Sequence, residues 1–228
     1  MRRWFRWWSG AFVAILVVGM VSPAWAGDDV QTWHSADLAK KLGSRWEFAW
    51  LPEIRIRRDA SQLFRHEYRH SLRWKASPHL QIAVNYLFAR DESSGKPREE
   101  HTGELDVTPK ASVGPWDLSV RGRAALRTIQ RSAGEQEWQL RVMPKVGYRM
   151  TFAGRPITPY VADDLFYEYT RDAWNQNRLF LGAVVPLPAP HGVQLNVDAY
   201  YMLQSQLGSA RGDWSSNHIL GTKLVAKF

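Results

Sequence analysis

The chain has 228 residues, a formal net charge of +8, 12 tryptophans and no cysteine. Disulfide and thiolate chemistry are therefore excluded, and a chain of this length without a break in composition suits one domain. The charge surplus is moderate and does not by itself imply nucleic acid.

The first predicted element is a secretory leader. Met1 to Trp8 is basic, Ala11 to Val21 is apolar, and Ser22-Pro23-Ala24-Trp25-Ala26 supplies the small residues of a cleavage site. The apolar stretch is too short for a spanning helix, which needs about 20 residues. The expectation is a signal peptide over 1–26 and one β-barrel domain over 27–228. Loss of Arg2, Arg3 and Arg6 with the leader leaves a net charge of +5, and no cysteine follows the cleavage site to carry a lipid anchor.

From Asp29 onward, segments of alternating hydrophobicity are separated by Gly, Pro, Ser, Asp or Asn, the period of antiparallel strands. After a first segment, Val30 to Leu42, the residues Trp46, Phe48, Trp50, Ile54 and Ile56 share one face while Glu47, Glu53 and Arg55 share the other. Phe64, Tyr68, Leu72 and Trp74 then alternate with Arg65, Glu67, Arg69, Ser71 and Arg73. Leu80, Ile82, Val84, Tyr86 and Phe88 oppose Gln81 and Asn85, and Trp116, Leu118 and Val120 oppose Asp117, Ser119 and Arg121. Trp138, Leu140, Val142, Val146 and Tyr148 oppose Gln139, Arg141 and Lys145, and Val193, Leu195, Val197, Tyr201 and Leu203 oppose Gln194, Asn196, Asp198 and Gln204.

The last segment, Asp213 to Phe228, sets Trp214, Leu220, Leu224, Ala226 and Phe228 against Asn217, Lys223 and Lys227. It has the form of a closing strand of an outer-membrane barrel, with Phe228 as the candidate assembly signal read by the barrel-assembly machinery. About eleven segments result, whereas bacterial single-chain barrels normally have an even number. Either Val30 to Leu42 does not join as one ordinary strand, or another segment is merged or missed, so ten to twelve strands are expected. Connections at Gly43-Ser44, Ala76-Ser77-Pro78, Val113-Gly114-Pro115 and Ala153-Gly154-Arg155 are short. Those at Asp91 to Pro97, Ser132 to Gln136 and Leu207 to Gly212 are more polar and mostly longer, the asymmetry of periplasmic turns and outer loops.

The runs Thr158-Pro159-Tyr160-Val161 with Asp164 and Phe166-Tyr167, Asn177-Arg178 with Gly182, Tyr200-Tyr201-Met202-Leu203-Gln204, and Asp213-Trp214 with Asn217-His218-Ile219-Leu220-Gly221 resemble the domain-of-unknown-function 2490 family (DUF2490). Gln31-Thr32-Trp33 and Leu38-Ala39-Lys40-Lys41-Leu42 are similar as well, so the likeness covers nearly all of the mature chain. The resemblance implies an outer-membrane β-barrel of Gram-negative bacteria without an established activity, and it carries over no catalytic residues. Arg178, Asn177 and Tyr200 are expected to form a hydrogen-bond cluster in the wall or lumen.

Three constellations could carry chemistry. His66-Glu67-Tyr68-Arg69-His70 matches the H-E-x-x-H pattern of zinc peptidases, which needs a helix to bring both imidazoles to one metal. On a strand they lie about 13 Å apart at ~3.3 Å per residue, and the surrounding alternation is that of a strand. Ser216 and His218, two apart on one face, bear comparison with outer-membrane lipid hydrolases, but they share that face with Leu220, Leu224 and Phe228. The third constellation is a charged lumen, with Arg55, Arg65, Arg69, Arg73, Arg121, Arg123, Arg127, Arg141 and Arg178 pointing inward beside Tyr200. Glu53, Glu67, Glu100, Glu104, Asp106, Asp164 and Glu168 are the available partners. Such charges either pair and plug a narrow interior or leave an arginine surplus that favours anions.

No nucleotide fingerprint, phosphate-binding glycine loop or cysteine metal site occurs, so no cofactor and no nucleic-acid partner is expected. The sequence thus predicts an all-β, antiparallel, up-and-down transmembrane barrel in the cell outer membrane, in contact with outer-membrane lipid. As a function it suggests a narrow solute channel or a structural or interaction protein, not an enzyme. An outer-membrane lipid hydrolase and a soluble periplasmic ligand-binding barrel are the alternatives.

Overall fold

A sheet built of two-faced strands removes its unpaired edges only by closing on itself. The computed structural model describes residues 30–58, 60–93, 97–130, 136–208 and 214–228; the leader over 1–26, the start at Gly27, and Asp213 lie outside them. Among the described residues every regular element is a strand: β1 (Val30–Lys41), β2 (Trp46–Arg57), β3 (Gln62–Ser77), β4 (Leu80–Asp91), β5 (Arg98–Val113), β6 (Trp116–Ile129), β7 (Gln136–Tyr148), β8 (Met150–Phe152), β9 (Arg155–Glu168), β10 (Ala173–Leu187), β11 (Gln194–Leu207) and β12 (Trp214–Lys227).

Apart from β7 and β8, which do not pair, each strand pairs antiparallel with its neighbours in sequence; β9 pairs with both β7 and β10, and β1 with β12, so the sheet closes. The three-residue β8 only extends the β7 line alongside the start of β9, which leaves eleven strands in the wall. Direction reverses at every hairpin, so in an odd-numbered barrel the first and last strands must run the same way. β1 and β12 do so, in parallel register from Val30 opposite His218 to Ala39 opposite Lys227. The odd count read from the sequence is therefore real, and Val30 to Lys41 is the exceptional strand because its second partner is parallel. Phe228 is bonded into this seam: its N–H donates to the Ala39 carbonyl at 2.9 Å and its carbonyl accepts from Lys41 N–H at 3.1 Å.

Connections 42–45, 78–79, 114–115, 153–154 and 188–193 gather at one end, here the turn end, and the facing ends of β2 and β3, β4 and β5, β6 and β7, β9 and β10, and β11 and β12 lie at the other, the loop end. The two-residue turn at 153–154 places Ala153 at φ 48° and Gly154 at φ 76°. Two successive positive φ values give a reverse turn whose twist matches the flanking strands. Register shifts between Arg55 and Ile56, Lys75 and Ser77, and Trp174 and Gln176 interrupt the ladders. At the first of these Phe64, expected on the apolar face, instead lines the interior.

The interior is mostly polar. A small apolar cluster of Trp33, Met202 and Ile219, flanked by Phe180 and Tyr200, is buried, and Glu47 and Asp164, each 2% exposed, are nearly as deeply buried. Large apolar side chains instead cover the outside: Val84, Leu105, Val120, Val142, Val161, Leu181 and Leu224 are all exposed.

Candidate functional site in the lumen

The inward faces of β1 to β7 carry a lattice of arginines and carboxylates. Neighbouring strands set opposed side chains about 5 Å apart, a spacing that lets one carboxylate bridge guanidinium groups on two strands. Glu67 lies 2.6 Å from Arg55 and 2.7 Å from Arg65; Glu100 lies 2.9 Å from Arg65 and 3.0 Å from Arg127. Glu104 lies 3.0 Å from Arg69 and 2.8 Å from Arg123, which also grips Asp106 at 2.6 Å. Toward the turn end Arg73 joins Asp37 and Glu47 at 2.9 and 2.8 Å, and Asp164 on β9 holds both Arg121, at 3.2 Å, and Arg141. Charges taken out of bulk water persist when paired and hydrogen-bonded in this way.

The opposite half of the wall, from β7 through β12 to β1, is built differently. One cross-strand row reads Gly147, Tyr160, Gly182, Tyr200, Gly221, Trp33, one residue per strand. Glycine alternates with an aromatic residue, and the rings of Tyr160 and Tyr200 each lie over the missing side chain of the next glycine in the row. A Cβ on Gly182 would come within 2.6 Å of the Tyr160 ring, and one on Gly221 would collide with the Tyr200 ring. This is aromatic rescue of glycine: the ring covers backbone that would otherwise be bare. Tyr160 also donates a 2.9 Å hydrogen bond to Asp198, and its face receives the Lys145 ammonium 3.4 Å from the centroid.

Where the two halves meet, three guanidinium groups interleave with two rings. Trp33 carries Arg55 at 3.8 Å and Arg178 at 5.0 Å from its ring; Phe166 carries Arg178 at 4.7 Å and Arg141 at 4.1 Å. Arg55 has Glu53 and Glu67 as ion partners, and Arg141 has Asp164. Arg178 differs. Its Nε donates to the Gln204 carboxamide at 3.0 Å, and the Gln176 carboxamide, in its satisfied orientation, accepts from it at 2.6 Å. Among the described residues no carboxylate lies within ion-pairing distance of Arg178.

Both halves border one cavity of about 690 Å³. Among the described residues eleven Arg and Lys side chains and seven Asp and Glu side chains line it. Of the residues expected to face the lumen, Arg65, Arg69, Arg121, Arg123, Arg141, Asp164, Arg178 and Tyr200 border this cavity. Arg73 lies inside but is engaged with Asp37 and Glu47, and buried Glu168 is held by Asn175 and Thr170 near the loop end. Asn177 does not join the expected cluster. It directly precedes Arg178 on the strand, faces outward, and donates to Asp163 at 2.6 Å.

The other two constellations lie on the wall's exterior. His66 and His70 face out, beside Tyr68 and Phe48, while Glu67 points in toward Arg55 and Arg65. The three side chains of the H-E-x-x-H match are thus on opposite sides of a sheet and cannot share one metal. His218 Nδ1 lies 2.6 Å from the Tyr201 hydroxyl, and Ser216 Oγ 3.3 Å from Ser205 Oγ, all on the outer face.

Sequence reading missed the lumenal roles of Trp33, Tyr160 and Phe166. Inward aromatics on β9 and β10 erase the contrast between faces, so alternation is weakest where the row is built. The available signal was that the runs singled out in the second half each pair an aromatic with a glycine or arginine one strand away. No curated protein matches the chain. The model of the family described as "Protein of unknown function (DUF2490)" matches residues 30–216, and the chain belongs to that family.

Proposed function

We propose that this protein is a transmembrane barrel of the bacterial outer membrane whose lumen is a narrow channel for small, preferentially anionic solutes. The supporting observation is the wall's inverted polarity, with paired charges inside and apolar side chains outside. The exposed apolar belt is bounded by aromatics at both ends, where a bilayer has its polar interfaces. At the turn end Trp46 stacks with Trp74 at 6.0 Å and Trp116 meets Tyr148 at 4.8 Å, near exposed Phe152 and Phe228. At the loop end stand Trp138, Tyr167, Tyr169, Trp174 and Trp214, with Tyr167 and Trp174 5.5 Å apart. A water-soluble barrel would gain nothing from this belt and would risk aggregation through it.

The lumenal cavity and its cationic surplus support the solute reading. Outer-membrane lipid is the partner of the belt, and the closing strand with Phe228 is the segment offered to the assembly machinery. Two measurements test the proposal. Heat-modifiable migration of the protein from a membrane fraction is expected, and recovery only from soluble periplasm would overturn the placement. In planar bilayers small conductance steps with anion preference are expected; a silent bilayer containing correctly folded barrel would overturn the channel.

A further inference from the structure

We propose that the lumen contains a specific site for a small organic anion, with its acid group on Arg178 and its apolar body against the rings of Phe180 and Tyr200. The inference rests on solutes reaching the lumen, as in the channel reading, but it concerns binding and not conduction.

Arg178 is the middle member of the guanidinium and ring stack, between Trp33 and Phe166. Rings and carboxamides hold a guanidinium in place without cancelling its charge. Gln204 and Gln176 are neutral acceptors, and a guanidinium has five donors, more than these two oxygens take up. The flanking Arg55 and Arg141 each touch a carboxylate, so the central guanidinium is the one of the three without a direct ion pair among the described residues, Asp164 and Glu53 acting on it only at longer range. An acid group accepting from Arg178 would complete the pairing that every neighbouring arginine already has.

The body of the ligand follows from the adjacent rings. Phe180 shares the inward face of β10 with Arg178, and its ring is 5.5 Å from that of Tyr200, which the bare backbone at Gly221 allows to lie flat against the wall. Both rings border the cavity, and among the described residues neither carries a cation. Trp33, Phe166 and Tyr160 are occupied by Arg or Lys. A carboxylate attached to a flat apolar group uses both features; a bare inorganic anion uses only the first.

The test is equilibrium titration of the purified, detergent-solubilised full-length barrel with benzoate, acetate, inorganic phosphate and benzylamine. Benzoate should bind several-fold more tightly than acetate or phosphate, and benzylamine should not bind. Arg178→Gln should weaken benzoate by at least about tenfold, as expected for losing a charge-assisted bidentate contact, with heat-modifiable migration retained. Phe180→Leu, which leaves every charge in place, should weaken benzoate while leaving acetate unchanged. No benzoate binding, benzoate no tighter than acetate, or undiminished binding in Arg178→Gln would each overturn the site. Should benzoate bind as described to a barrel that passes no current, the channel reading fails and the site stands.

Discussion

The ring of Tyr200 lies over Gly221, one strand away, in the space that any larger residue at 221 would need. Tyr160 and Gly182 repeat the arrangement across β9 and β10. Gly221→Ala should therefore destabilise the barrel by about 1–3 kcal/mol through overpacking. Combining it with Tyr200→Ala should recover part of that loss, because the methyl group then has room. Denaturant unfolding of the four variants in lipid vesicles measures the coupling, and strict additivity would mean that ring and glycine do not interact.

Asp164 is the carboxylate shared by Arg121 and Arg141 while being almost fully buried. Asp164→Asn keeps the shape and strands both guanidinium groups, which should cost about 3–5 kcal/mol. The temperature at which the folded gel band converts to the unfolded one should fall. An exposed pair such as Arg149 with Asp117, 3.4 Å apart, should show less than about 1 kcal/mol on the same substitution.

The H-E-x-x-H match makes opposite predictions as a metal site and as part of a barrel wall. In the wall Glu67 bridges Arg55 and Arg65, whereas His66 faces outward. Glu67→Gln should destabilise the barrel by several kcal/mol, roughly 3–5 by the same reasoning. His66→Ala should have a smaller effect, within about 1 kcal/mol for an outward residue. Added zinc should shift the unfolding midpoint of neither wild type nor His66→Ala; a zinc-dependent shift lost in His66→Ala would contradict the strand geometry.

Phe228 closes the parallel seam through two backbone hydrogen bonds with Ala39 and Lys41. Substitution by Ala keeps those bonds and removes the ring, so the folded barrel should be little altered once formed. Deletion of Phe228 removes both bonds as well. If the terminal ring is also an assembly signal, Phe228→Ala should lower the heat-modifiable fraction in cell membranes while refolding in detergent remains near wild type. Equal losses in both settings would assign Phe228 a structural role alone.

Period-two alternation was legible directly from the order of residues, because a strand places i and i+2 on one face whatever surrounds it. It was enough to define the all-β class, the approximate strand number and the inward direction of Arg65, Arg123 and Asp164. It could not define partnership. That Glu67 bridges Arg55 and Arg65, or that Arg178 meets Trp33 across intervening strands, depends on register and closure, which join residues far apart in the chain. The outward direction of Asn177, beside inward Arg178, shows how adjacent residues of one motif part company at a sheet. Parallel closure, too, was implicit in an odd number of reversing strands, yet only the closed barrel shows Val30 to Lys41 filling that place. The sequence alone determined which faces are polar where alternation is clean, as on β3 and β7; the tertiary structure decided which charges meet and where aromatics turn inward, because pairing energy falls with distances that only the closed wall sets.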